Sequence, residues 1–256
     1  MRDYTAMEPE APGTAAPALY ARAEEIGRQY GIRVLIADQC DTDFLDYTTD
    51  MVTDPFTVSV ALDNLEKCLA KYPDGFFTQL QDENIHDLEI QLVGKLYAKE
   101  HHSLHTAIAF ALPMNDHYLI AVDSYVNREQ DFHHELGHAI DDKMFWDSVD
   151  GSNSLYSEET WRSFNPPGFE YRFDYGDYLN ADYDVDYFVD AYSCTFSNED
   201  RARVWEYAMT DRPYIFMSAP LQQKLDYFNR CIRESFDTTS WPEVLPAEQV
   251  LLDSYE

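Results

Sequence analysis

The sequence contains the run H-E-L-G-H at residues 134–138, namely His134, Glu135, Leu136, Gly137 and His138. Residues four apart on an α-helix share one face, so both imidazoles can reach one metal ion. The carboxylate of Glu135 lies beside them, where it can contact a water molecule on that ion. Zinc hydrolases use this arrangement, in which zinc polarises a carbonyl group and lowers the pKa of its water. The motif therefore predicts one catalytic zinc ion held by His134 and His138, with Glu135 as general base.

The composition limits the classes of partner. The chain has 256 residues, of which 45% are hydrophobic, so it can bury the core of one large domain or two small ones. Its net charge of −30 argues against nucleic acid and against an anionic membrane surface, because both need a positive footprint. No apolar run approaches the roughly 18 residues of a membrane span. We expect a monomer that acts on a protein or peptide.

The first residues and the cysteines bear on localisation. Residues 1–18 have the composition of a flexible N-terminal tail, rich in Pro, Ala, Gly, Thr and Glu. Such tails often follow a cleaved export signal, so we expect an extracellular or cell-envelope protein of a bacterium, with a cytoplasmic location as the alternative.

The four cysteines are widely spaced and form no C-x-x-C pair, which argues against a cysteine-based zinc site. Buried thiols are expected, with one or two disulfides as the alternative.

The pattern of elements predicts an α+β fold. Helices are predicted at 19–30, from Asp54-Pro55 to 72, and at 128–145, 157–164, 197–209 and 221–236. Strands are predicted at 32–37, 88–93, 106–112 and 118–122, with the last two joined as a hairpin. We therefore expect one catalytic domain over 19–256 with the active cleft between two lobes. The N-terminal lobe, about 19–145, would hold a small mixed sheet and the metal helix, and the C-terminal lobe, about 146–256, would be mainly helical.

The third zinc ligand must be sought after the motif. None of the eight histidines follows His138, so a later carboxylate is expected. Glu158 lies 20 residues after His138, the spacing of thermolysin-like enzymes. Glu199 lies 61 residues after it, near the start of a predicted helix with Ser197 as N-cap and Asp200 at N3. The residues alone leave both glutamates open.

Two short blocks, 131–142 and 188–205, carry a family resemblance. The matching residues are His134, Glu135, Gly137, His138, Ala139 and Asp141 in the first block and Tyr192, Thr195, Glu199 and Ala202 in the second. In these positions the chain resembles the glutamate-ligand zincins (gluzincins), and most closely the catalytic domain of anthrax lethal factor. It departs from that family at Arg203, where a second glutamate is usual, and in the longer distance between the blocks.

The resemblance implies a zincin-like fold with Glu199 as the third ligand. It implies a metalloendopeptidase in which Glu135 assists the attack of zinc-bound water, while zinc and the Tyr192 hydroxyl stabilise the oxyanion. It also implies that an edge strand, Tyr118 to Val122, lines the cleft and pairs with an extended substrate. A catalytically silent binding protein on the same scaffold and a zinc amidase acting on cell-wall peptides remain alternatives.

Several other residues have secondary interpretations. Asp141 is expected either to support a ligand histidine or to serve as a solvated or capping residue. His133 points about 100° away from His134 and is expected to be structural. The histidines at 101, 102 and 105 are expected in a loop rather than at a second metal site. The Asp- and Tyr-rich stretch 174–190 is expected to be a hydrated insertion rather than a calcium site.

Overall fold

The computed structural model describes residues 11, 13–99, 107–175 and 181–253. These residues divide into two compact units, and one division falls between Glu135 and Leu136. The first unit takes its residues from Met1–Ala70 and Gln81–Glu135, and the second from Lys71–Leu80 and Leu136–Glu256. Of the predicted tail at 1–18 the structure describes residues 11 and 13–18, in which Ala15 and Ala16 are buried and a helix begins at Pro17. The histidine cluster at 101, 102 and 105 lies outside the described residues.

The first unit contains two small sheets. Its strands are β1 (Arg33–Ile36), β2 (Tyr47–Thr49), β3 (Asp87–Val93), β4 (Leu96–Ala98), β5 (Ala109–Pro113) and β6 (His117–Asp123). The larger sheet is mixed, with the order β1-β3-β6-β5, in which β1, β3 and β6 are parallel and β5 is antiparallel to β6. The smaller sheet is the antiparallel pair β2 and β4. The predicted hairpin between the last two strands is confirmed.

The position predicted for Tyr118 to Val122 is wrong. Strand β6, which contains these residues, pairs with β3 on one side and with β5 on the other, so it is a central strand. Its side chains explain the difference, because Leu119, Ile120 and Ala121 are fully buried and a continuous apolar run is typical of a strand covered on both faces. The antiparallel strand β5 lies at the edge of the sheet instead.

The end of the first helix and the start of the second lie where their sequence signals predict, whereas the first helix begins two residues earlier than predicted, at Pro17, and the second ends at Leu69 rather than at residue 72. Helix α1 (Pro17–Tyr30) ends at Gly31, which has a left-handed backbone with φ of 70°. Helix α2 (Pro55–Leu69) begins after Asp54, whose carboxylate accepts a hydrogen bond from the Thr57 N–H at 2.8 Å. The strands β2 and β4, by contrast, lie in segments where the sequence predicted none.

The remaining helices follow in chain order. They are α3 (Phe76–Leu80), α4 (Glu129–Asp150), α5 (Glu158–Ser163), α6 (Ser197–Met209), α7 (Ala219–Ser235) and α8 (Pro246–Asp253). All except α4 belong to the second unit, whose aromatic core includes Phe76 stacked on Phe236 at 4.9 Å. The sequence predicted α4 to α7 but neither α3 nor α8.

Among the described residues no helix combines the length and the apolar character that a membrane crossing requires. All four cysteines are free thiols, as the first alternative expected.

Candidate metal centre

Helix α4 carries the two motif histidines one turn apart. Its first turn is acidic, which suits the positive end of the helix dipole. The apolar side chains of Leu136, Ala139 and Ile140 on this helix are fully buried. Their burial fixes the rotation of the helix, and His134 and His138 then share one face by their spacing of four. The Glu135 side chain is also buried, with 8% of its surface exposed.

Close packing of two helices brings the downstream glutamate to this face. A Cβ atom added at Gly137 would lie 3.2 Å from the Ala202 Cα and 3.6 Å from the Ala202 Cβ. Glycine therefore lets α6 approach α4 this closely without displacement, whereas a Cβ atom at this position would push Ala202 away by a few tenths of an ångström. Because Glu199 and Ala202 are three apart on α6, they lie on the same side of that helix. Gly137 and Ala202, which both match the gluzincin pattern, thus have a physical role: their close approach brings the side of α6 that carries Glu199 next to α4.

Three side chains form a group that fits a zinc ion. One ligand atom from each of His134, His138 and Glu199 lies within 4.8 Å of the others. The distance from Glu199 Oε2 to His138 Nε2 is 3.4 Å. Zinc bonds of about 2.0–2.1 Å in tetrahedral geometry place two ligand atoms roughly 3.3–3.4 Å apart. Two imidazoles and one carboxylate are also a donor set of catalytic zinc sites, which keep a fourth position for water.

The other candidate ligand, Glu158, has different partners. It lies at the start of α5, where its Oε1 accepts from Arg162 Nε and its Oε2 from Arg201 Nη1, each at 2.8 Å. Burial is the largest single effect and raises the pKa of the Glu158 carboxyl group. The positive charge of Arg201, together with hydrogen bonds from Ser197, Arg201 and Arg162, outweighs burial, so the pKa lies below its usual value. Of the two glutamates left open by the sequence, Glu199 is the one that lies with the histidines.

Tyr192 lies in a short 3-10 turn, Tyr192–Cys194, seven residues before Glu199. The Arg203 guanidinium lies 5.8 Å from the centre of its ring. Arg203 is itself held by ion pairs with Asp190 and Glu206. The residue that departs from the gluzincin pattern is therefore part of a charged group that contacts the Tyr192 ring.

Sequence reasoning missed Tyr175. Its hydroxyl donates a hydrogen bond to Glu199 Oε1 at 2.7 Å, and its ring stacks on that of Tyr192 with 5.8 Å between centroids. Tyr175 lies 24 residues before Glu199 in the stretch that was expected to be a hydrated insertion. No spacing rule connects the two positions, so the sequence offered no signal for this contact.

Two further residues of the motif helix have structural partners. Asp141 Oδ1 accepts from the Tyr156 hydroxyl at 2.7 Å and lies 2.6 Å from Arg201 Nε. These contacts tie Asp141 to an arginine rather than to a ligand histidine. His133 is fully buried, with its Nε2 3.4 Å from Glu129 Oε1, which agrees with its expected structural role.

The predicted cap of α6 is wrong. The N-cap residue is Phe196, and no side chain caps the helix. Asp200, predicted to help close the cap, is fully buried and binds Lys224 Nζ at 2.7 Å and the Tyr171 hydroxyl at 2.8 Å. A buried cation attracts this carboxylate more strongly than an exposed backbone N–H can. The pair anchors α6 to α7 next to Glu199.

Comparison with known proteins bears on the fold. No protein-family model matches the chain, and no curated protein matches it. Among solved structures it is similar to the crystal structure of a "putative zinc-binding metallo-peptidase" from Bacteroides caccae. The two share 14% sequence identity over 95% of each chain, with a TM-score of 0.56. At this identity the likeness shows a common fold, and the predicted α+β class is confirmed by the observed helices and sheets.

Proposed function

We propose that this chain is a zinc-dependent peptidase that hydrolyses peptide bonds in a protein or peptide. The grouping of His134, His138 and Glu199 carries the proposal, because a gluzincin site needs these three ligands. The position of Glu135 next to a ligand histidine on a buried helix face supports it further. The shared fold with a chain described as a zinc-binding metallo-peptidase is consistent with the same chemistry.

The proposed mechanism assigns one task to each side chain. His134, His138 and Glu199 would hold zinc, which supplies Lewis acidity and activates water at neutral pH. Glu135 accepts the proton of the attacking water and returns it to the leaving amine, so that no free proton or hydroxide is needed. The Tyr192 hydroxyl donates a hydrogen bond to the oxygen of the scissile carbonyl as negative charge develops there.

The test compares wild type with Glu135→Gln on an unfolded protein and a mixed peptide library. We expect equal zinc content in both proteins, because Glu135 is not a ligand. We expect the rate of cleavage to fall by about 10²–10⁴ in the variant, the usual contribution of a general base. A wild-type protein that carries stoichiometric zinc and cleaves nothing in the library would contradict the proposal.

The same assay separates the alternatives. Arg203, with its ion pairs to Asp190 and Glu206, replaces a family glutamate and favours the silent zinc-binding scaffold as the second candidate. That candidate predicts bound zinc without turnover on any peptide. A cell-wall amidase predicts cleavage of peptidoglycan stem peptides and no cleavage of an unfolded protein.

A further inference from the structure

The two oxygens of the Glu199 carboxylate have different neighbours. Oε2 faces His138 Nε2 at 3.4 Å, on the side of the ligand group. Oε1 accepts the hydrogen bond of the Tyr175 hydroxyl at 2.7 Å. A carboxylate held in this way presents one oxygen to a metal ion and keeps the other away from it. The contact therefore bears on how Glu199 binds zinc.

Tyr175 is 55% exposed, but its ring and the backbone just before it make contacts other than this hydrogen bond. The preceding residues run beside the turn before α6, where the Arg172 N–H donates to the Cys194 carbonyl at 3.1 Å and the Phe173 N–H to the Thr195 carbonyl at 2.9 Å. The Tyr175 ring packs on Phe196 with 4.7 Å between centroids, in addition to its stack on Tyr192. These contacts direct the hydroxyl towards Glu199 independently of the hydrogen bond itself.

We propose that Tyr175 is a positioning residue for the metal ligand Glu199. Its hydroxyl holds Oε1, so that Oε2 is the oxygen that the carboxylate would present to a zinc ion beside His138. Partners that orient a ligand in this way typically change metal affinity by about 10–100-fold. The proposal rests on the zinc site of the proposed function, but it concerns metal binding and not peptide cleavage.

The test removes one oxygen atom. Tyr175→Phe keeps the ring on Tyr192 and Phe196, and Tyr183→Phe removes a hydroxyl from a half-exposed tyrosine of the same stretch as the matched control. Zinc dissociation constants are measured by competition with a chromophoric chelator, and thermal melts of the zinc-free proteins check folding. We expect about 10–100-fold weaker zinc binding in Tyr175→Phe and less than about 2-fold change in the control.

A double-mutant cycle shows whether the effect passes through Glu199. In a Glu199→Gln background, Tyr175→Phe should no longer weaken the remaining zinc binding. Unchanged affinity in the single variant, or an equal loss in both backgrounds, would overturn the proposal.

Failure of the peptidase proposal and failure of the positioning proposal give different experimental results. A wild-type protein that binds zinc but cleaves no peptide contradicts only the peptidase. Such a protein still shows the effect of Tyr175→Phe on zinc affinity, which supports the positioning role. A wild-type protein that binds no zinc overturns both proposals.

Discussion

Glu199 and Glu158 have different surroundings, and these surroundings are the basis for the different roles proposed for them. Both are glutamates in the first turn of a helix, and sequence spacing alone left either one as the zinc ligand. Glu158 gives both carboxylate oxygens to arginines, whereas Glu199 lies beside His138 with a tyrosine on its other oxygen. An oxygen that already binds a guanidinium is a poor metal donor, because its charge is compensated.

This difference predicts opposite effects of the same substitution. Glu199→Gln should lower zinc affinity by at least about 100-fold, since a neutral amide replaces the anionic ligand. Glu158→Gln should retain one zinc per chain and lower stability by about 1–3 kcal/mol, because it leaves the buried Arg201 less well paired. Zinc per chain after gel filtration and urea unfolding measure the two effects. Loss of zinc in Glu158→Gln with retention in Glu199→Gln would reverse the assignment.

At the scale of elements, the contact between α4 and α6 is the most specific feature of the site. Replacing a helical glycine by alanine normally stabilises a helix by about 1 kcal/mol. At Gly137 we expect the opposite, because the new methyl group would meet the backbone of Ala202 at 3.2 Å and displace α6.

Gly137→Ala should therefore weaken zinc binding several-fold and lower the free energy of unfolding by about 1–2 kcal/mol. Urea unfolding of the zinc-free protein and chelator competition measure the two quantities separately. Higher stability together with unchanged zinc affinity would contradict this prediction, because it would show that α4 and α6 accommodate the added methyl group without moving apart.

The elements that sequence predicted best are those with local signals. Asp54 and Gly31 mark the limits of their helices through contacts within a few residues. Strands β2 and β4 have three residues each and pair with one another across almost fifty positions of the chain, so the length and pairing of these strands give little local pattern. The central place of β6 likewise depends on which strands flank it, and that is settled by pairing over long distances.

The residues of the candidate site likewise differ in whether the sequence could predict them. The two histidines and Glu135 follow from one helical motif, and Glu199 followed from a family resemblance in a second short block. Tyr175 could not be predicted, because its contact with Glu199 depends on the path of a segment that has no regular structure. In the proposed site, two of the zinc ligands would come from the motif, and the irregular segment would provide the hydroxyl that orients Glu199.

At the scale of the whole molecule, charge is the dominant property. The chain has 48 acidic and 18 basic side chains, so the excess negative charges repel one another in the folded protein at low ionic strength. Raising NaCl from about 0.01 M to about 1 M shortens the screening length from about 30 Å to about 3 Å.

The melting temperature should therefore rise by several degrees over this range, at about 2–4 °C for each kcal/mol gained. Thermal melts followed by circular dichroism at neutral pH, on the zinc-free protein, measure the shift. A melting temperature that falls with added NaCl would mean that exposed ion pairs such as Arg230–Asp226 outweigh the general repulsion, because salt screens exposed pairs most strongly.

The central claim is that one zinc ion binds to His134, His138 and Glu199. An anomalous difference map at the zinc absorption edge, from crystals grown with zinc, tests it most directly. The account predicts one strong peak at about 2.0–2.2 Å from a nitrogen of each histidine and from Glu199 Oε2, with Oε1 still bound to Tyr175. A strong peak at Glu158, or no peak within bonding distance of the two histidines, would contradict it.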